Sequence, residues 1–195
     1  MNTVLERPKG TPAELLARPD RDQYELVNGE FVERVMGWQS SRIGSKLLAL
    51  LETYVAEHNL GWVNGADAAY QCYEDAFPDD PERIRKPDLS FISLDRLPPS
   101  EEPVGYCTIV PDLVAEVVSP HDTFYELSLK IDEYRKAGVR LIWVVVPNTK
   151  TVVIHRLNGS TDELREADDL SGEDVIPGFH CSVADIFRTP ARTQA

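Results

Sequence analysis

Two carboxylates and one amine are spaced so that a folded chain could bring them to a single point. Asp88 follows Pro87 and begins a run of strand-forming residues, Asp88 to Leu94. Glu116 lies inside the apolar run Leu113 to Val118, which reads as a buried strand. On a two-residue period it shares a face with Val114 and Val118. A carboxylate there is costly to bury unless something pairs it or binds it. If the two strands are neighbours, both acids converge on one hard cation, Mg²⁺ or Mn²⁺. Such a cation takes one or two carboxylates and keeps several waters for a substrate phosphate. It would activate a water and screen charge on that phosphate. Lys130 could add a compact positive charge beside it.

Each of these residues also has a plain structural explanation. Asp88 fits a loop-to-strand acid after proline. Glu116 could pair with a base on any neighbouring element. Lys130 lies four residues after Glu126, the spacing of an ordinary helix salt bridge. Taken singly, the structural explanation is the better one for each. Taken together, around an acid in apolar surroundings, the three point to a site. Glu30 is a fourth acid, although alone it reads as a solvated hairpin residue. The histidines His58, His121, His155 and His180 are scattered without metal-ligand spacing. Of these only His121 falls near the acids. No GxSxG elbow and no phosphate-cradling glycine loop is present.

The elements that would position these residues can be read from the same chain. Thr123 with Glu126 forms a capping box, so a helix is predicted from Phe124 to Gly138, with Leu127, Ile131 and Tyr134 as its apolar stripe. Thr11 to Glu14 is a second capping box, opening a short helix over Pro12 to Arg18. Asn28-Gly29 between Gln23–Val27 and Glu30–Val35 predicts a hairpin with a type I′ turn. Ser40 and Ser41 are candidate caps for a long helix ending near Glu57. Trp62 to Tyr73 reads as strand. Glu74 to Lys86 is an acidic, proline-rich loop with Arg83, Arg85 and Lys86 bunched at its end. Leu141 to Val146 is a nearly apolar, central strand, followed by Thr151 to Leu157. A further strand is predicted near Glu163 to Glu166, then a turn at Pro177-Gly178 and a short apolar stretch, Val183 to Phe187. The alternation predicts an α/β fold with helices on the faces of a sheet. The helix between the strands at Leu113 and Leu141 makes them a parallel, right-handed pair.

The totals set the bounds. At 195 residues the chain is expected to form one domain with a full hydrophobic core. Its net charge is −13, which argues against a protein that coats nucleic acid through a basic surface. The acid is uneven, with seven acids and one base between Thr161 and Asp174. Three widely spaced cysteines suggest neither a zinc site nor a disulfide framework, and a reduced, cytoplasmic setting is expected. No signal peptide and no membrane-spanning run is visible.

The ordered set of motifs resembles the PD-(D/E)XK nuclease superfamily and, more narrowly, the Uma-two family of restriction endonuclease-like proteins. The resemblance runs from about Tyr24 to Phe187. It is carried by YELVNGE at 24–30, RKPDLSFIS at 85–93, PDLVAEVVSP at 111–120, Lys130 with Tyr134, AGVRLIWVVVP at 137–147 and IPGF at 176–179. It implies a restriction-endonuclease-like fold, with a mixed central sheet, an N-terminal hairpin and C-terminal strand extensions. It also implies metal-dependent hydrolysis of phosphodiester bonds, most simply in DNA. By motif, Asp88 is the acid of the PD element and Glu116 the acid of the ExK element. Val118 occupies the lysine position, and the family's displaced lysine corresponds to Lys130. The family's hairpin glutamate matches Glu30. Ser40, Glu126 and Val146 stand where the family commonly has histidine, aspartate and aspartate.

The function expected is therefore a Mg²⁺- or Mn²⁺-dependent endonuclease acting on DNA. A homodimer is expected as the simplest way to present two sites to two strands. The rival readings are a nuclease fold acting only as a binding or regulatory module, and a nuclease acting on RNA or on mobile-element intermediates.

Overall fold

Asn28 and Gly29 both take positive φ, 53° and 76°, as a type I′ turn requires. They close the first two strands, β1 (Tyr24–Val27) and β2 (Glu30–Glu33), into an antiparallel hairpin. The computed structural model describes residues 9–190. Helix α1 (Pro12–Ala17) precedes the hairpin and begins with the predicted capping box, Thr11 with Glu14. Leu15 of α1, Leu26 of β1 and Ile84 form a small core between them.

The main sheet has six strands in the order β3-β4-β5-β6-β7-β8. These are β3 (Gly61–Gly65), β4 (Leu89–Ser93), β5 (Leu113–Val117), β6 (Leu141–Val146), β7 (Thr151–Arg156) and β8 (Thr161–Leu164). All neighbours are antiparallel except β5 and β6, which pair in parallel with Leu113 opposite Leu141. The mixed sheet and its crossover helix match the expectation. That helix, α3 (Phe124–Ala137), starts at the Thr123–Glu126 capping box and stops at Gly138, with φ 98°.

Alternation sends Leu113, Ala115 and Val117 of β5 to one face of the sheet. There they pack with Ile43, Leu47, Leu51 and Val55 of helix α2 (Trp38–His58). Val114 and Val118 go to the other face with Tyr134 of α3. Strands β9 (Asp169–Ser171) and β10 (His180–Ser182) form a separate pair. Helix α4 (Val183–Phe187) follows, and its Val183, Ile186 and Phe187 add to the α2 side of the core. Among the described residues no helix is long and apolar enough to cross a membrane.

Three local expectations are corrected. Trp62 to Tyr73 is not one strand, because β3 ends at Gly65, opposite Leu89 where its partner β4 begins. Tyr70 then makes isolated bridges to Arg85 and Cys107 instead. Helix α2 starts at Trp38 with Gly37 as its N-cap. Ser40 is not a cap but a buried residue that donates to the Val118 carbonyl. Strand β2 stops at Glu33, short of Val35.

Candidate active site

Strand register brings Asp88 and Glu116 together. The β4–β5 ladder pairs Leu89 with Ala115, so one step beyond it Asp88 lies opposite Glu116. Leu89 and Phe91 face α2, while Ile92 faces α3. By that alternation Asp88 shares the α3 face with Glu116. The Asp88 carboxylate accepts a 2.8 Å hydrogen bond from the Val117 N–H and a 3.1 Å bond from Arg34. Arg34 also donates to the Ala66 carbonyl, at 2.8 Å.

Glu116 is buried. One of its oxygens accepts from the Tyr134 hydroxyl at 2.6 Å, and the other faces Lys130 Nζ at 3.4 Å. Tyr134 follows Lys130 by four residues on α3, so one helix face delivers both groups. Burial and the Glu116 charge push the Tyr134 hydroxyl far above the usual tyrosine range, so it stays a donor. Lys130 keeps 22% of its side chain exposed, enough to meet a ligand. Burial alone would lower its pKa, but Glu116 and Glu25 outweigh that and raise it. Lys130 is therefore an ammonium at neutral pH, a positive charge and not a base.

Behind these residues runs a chain of buried ion pairs. Glu25 on β1 accepts from Arg85 at 2.8 Å and from the Lys86 N–H at 2.8 Å, and lies 3.7 Å from Lys130. Burial would raise its pKa, yet Lys130, Arg85 and Arg34 bring it down to about 2. Arg85 continues to Glu133 at 2.6 Å. Glu133 also pairs with Arg83 at 2.7 Å, and Arg83 with Asp80 at 2.8 Å. The cluster at the end of the acidic loop thus fastens the hairpin to α3 and fixes Lys130 from behind.

The structure gathers Asp88, Glu116 and Lys130, and among the described residues Glu30 forms no hydrogen bond or ion pair with any of them. Register puts Glu30 on the same hairpin face as Glu25, but at the turn end, where it is exposed. His121 is exposed in the loop before α3. Sequence reasoning passed over Glu25, Arg34 and Glu133. The available signal was the bunching of Arg83, Arg85 and Lys86, since buried cations need buried acids.

The acid pair also has the character of a cation site. Burial, then the neighbouring Glu116 charge, raises the Asp88 carboxyl to about 7, against the pull of Val117, Arg34 and Lys130. Two carboxylates that oppose each other's ionisation are what a bound cation relieves. Among the described residues no group of three or more His, Cys, Asp or Glu side chains gathers to hold a metal. Two oxygen-donating acids suit Mg²⁺, which keeps waters, and not a closed zinc site.

A mixed sheet that presents aspartate and glutamate from adjacent strands, with a lysine from the following helix, defines a restriction-endonuclease-like nuclease fold. The solved structure of a putative nuclease belonging to DUF820 from Anabaena variabilis superposes with a TM-score of 0.76. The match covers 91% of this chain and 97% of that one at 20% identity. The family model Uma2, described as putative restriction endonuclease, matches residues 12–184. The chain belongs to this family. No curated protein matches the sequence.

Proposed function

We propose that the protein is a metal-dependent endonuclease that hydrolyses phosphodiester bonds in DNA. The observation that carries this reading is the convergence of Asp88 and Glu116 on one sheet face, with Lys130 3.4 Å from Glu116. Asp88 and Glu116 would hold Mg²⁺ or Mn²⁺. The ion would supply Lewis-acid activation of water and charge neutralisation at the phosphate. Lys130 orients and stabilises negative charge that develops during hydrolysis. Tyr134 fixes one Glu116 oxygen, and the Val117 N–H fixes one Asp88 oxygen, so both acids are held before substrate arrives. Glu25 and Arg85 hold Lys130 and the hairpin in place.

The test is cleavage of supercoiled plasmid with Mg²⁺ or Mn²⁺ by wild type and by Asp88→Asn, with calorimetric titration of Mn²⁺ into both. The reading requires cation binding and cleavage that are both lost in Asp88→Asn. Cation binding that is unchanged by the substitution, or cleavage that survives it, would overturn the reading.

A further inference from the structure

The three aromatic rings that stand most exposed all flank the mouth of this site. Trp38 is 88% exposed, Phe124 87% and Tyr125 71%. Trp38 begins α2, and Phe124 and Tyr125 begin α3. Both helix starts meet the chain that leaves β5 just beyond Glu116. Ser40 donates to the Val118 carbonyl and Ser119 to the Val35 carbonyl, and Gly37 lies against Pro120. The rings therefore bracket the end of β5 from both faces of the sheet. Val35 and Met36 beside them are exposed as well. Apolar rings are costly to leave in water, and among the described residues no other phenylalanine, tyrosine or tryptophan ring is so exposed.

The cations tell the complementary story. Arg34, Arg83, Arg85 and Lys130 are each paired with carboxylates, and Lys86 Nζ donates to the Arg21 carbonyl. None of these offers a free charge to a duplex backbone. On α2, however, Arg42 and Lys46 follow Trp38 at four-residue intervals, on one helix face. Among the described residues neither pairs with a carboxylate; half-buried Arg42 spends one N–H on the Arg188 carbonyl at 3.2 Å and keeps the rest of its fork, while Lys46 is exposed. No acid occurs on α2 before Glu52.

We propose that an unpaired DNA strand lies across this mouth, its bases stacked on Trp38, Phe124 and Tyr125 and its phosphates tracking Arg42 and Lys46. The inference rests on the nuclease reading above and narrows its substrate. Aromatic platforms beside a short cationic track are the device that holds single strands. A duplex hides its base faces and is held mainly by phosphate neutralisation. A chain of net charge −13 with its site cations already paired is poorly equipped for that.

The test measures binding without catalysis. Fluorescently labelled dT20, rU20 and a 20-base-pair duplex are titrated in EDTA with wild type, Trp38→Ala and Phe124→Ala/Tyr125→Ala. Anisotropy reports affinity, light scattering reports mass, and a thermal melt checks folding. Wild type should bind dT20 at least about tenfold more tightly than the duplex, and each aromatic variant should lose about tenfold or more. Melting should be unchanged, since the rings are exposed. Equal or tighter duplex binding, or aromatic variants that bind like wild type, overturns the proposal. So does an rU20 preference of tenfold, which would make the occupant RNA. A dimer mass that falls to monomer in Trp38→Ala would show that the rings cover a second copy of the chain, and would overturn it too. If these results fail while Asp88-dependent plasmid cleavage persists, only the stacking inference falls. If dT20 binding holds but Mn²⁺ brings Asp88-dependent cleavage of neither plasmid nor dT20, only the nuclease reading falls.

Discussion

Lys130 Nζ lies 3.4 Å from an oxygen of Glu116, a residue 14 positions earlier in the chain. Glu126, one helical turn from Lys130, turns the other way and closes its carboxylate on the Thr123 hydroxyl at 2.7 Å. The same helix therefore assigns one acid to its own cap and the lysine to the site.

Lys130→Ala and Glu126→Ala are accordingly expected to separate. The first should lower cleavage about a hundredfold or more, the scale for losing one preorganised charge, with little change in helix content because alanine is a good helix former. Lys130→Arg should not restore the rate, since a forked guanidinium places its charge elsewhere. The second should cost about 0.3–1.5 kcal/mol as a lost capping contact and leave cleavage near normal. Plasmid cleavage with Mn²⁺ beside urea unfolding measures both. Equal, small effects on cleavage would remove Lys130 from the site.

Asp88 should make the metal-free protein less stable as pH rises. Its carboxyl has a folded pKa of about 7 against an ordinary 3.8, so between those values the folded state holds more protons than the unfolded one. Stability then falls with rising pH across that window. It is fully present below about 3.8 and lost as pH passes 7. The loss is on the order of 4 kcal/mol at most. Asp88→Asn removes this effect, so in EDTA its melting temperature should exceed that of wild type at pH 8 and approach it near pH 4. Mg²⁺ should stabilise wild type alone. A wild-type protein that gains stability from pH 5 to pH 8 relative to Asp88→Asn would refute the assignment.

Glu25 and Glu30 sit on one hairpin face and should behave oppositely. Glu25→Gln leaves Arg85 and Lys130 short of a buried counter-charge, a loss of about 3–5 kcal/mol. Because its pKa is depressed to about 2, its contribution is present above 4.5 and is lost as pH falls through 2. Glu30→Ala, at an exposed position, should stay within about 0.5 kcal/mol of wild type and keep cleavage within a few-fold. Denaturant melts at pH 7 decide the first point and plasmid cleavage the second.

Arg85→Lys should not be a conservative change. The Arg85 guanidinium serves Glu25 and Glu133 at once, at 2.8 and 2.6 Å. An ammonium is a point charge that cannot reproduce that fork. A destabilisation of more than about 2 kcal/mol is expected, the cost scale of a broken buried pair, and a denaturation midpoint equal to wild type would contradict it.

Much of the positioning machinery was legible locally. Both capping boxes, the Asn-Gly turn and the apolar run of β6 depend on neighbours within a few residues, and all formed where predicted. Asp88, Glu116 and Lys130 were legible because their motifs combine a residue type with an element boundary. Glu25 was not, because its partners Arg85, Lys86 and Lys130 are some 60 to 105 positions away. Ion pairs at that range leave no periodic trace. Ser40 looked like a cap because serine before an apolar stripe often is one, but its hydroxyl is taken by β5. The stretch after β3 has strand-forming composition, yet a strand needs a partner, and β4 begins only opposite Gly65. Strands β9 and β10, three residues each, are too short to show an alternation.

The hairpin is not hydrogen-bonded into the six-stranded sheet. It joins the rest of the fold through the Leu26–Ile84 bridge and the Glu25 ion pairs. Glu25 leaves the ribosome long before Arg85 and Lys130, so for much of synthesis it has no counter-charge to dock on. A chain whose hairpin has not docked leaves Lys130 with Glu116 but without Glu25. The Glu25 anchor for Lys130 therefore exists only once the first-made segment of the chain has closed onto the later-made ones.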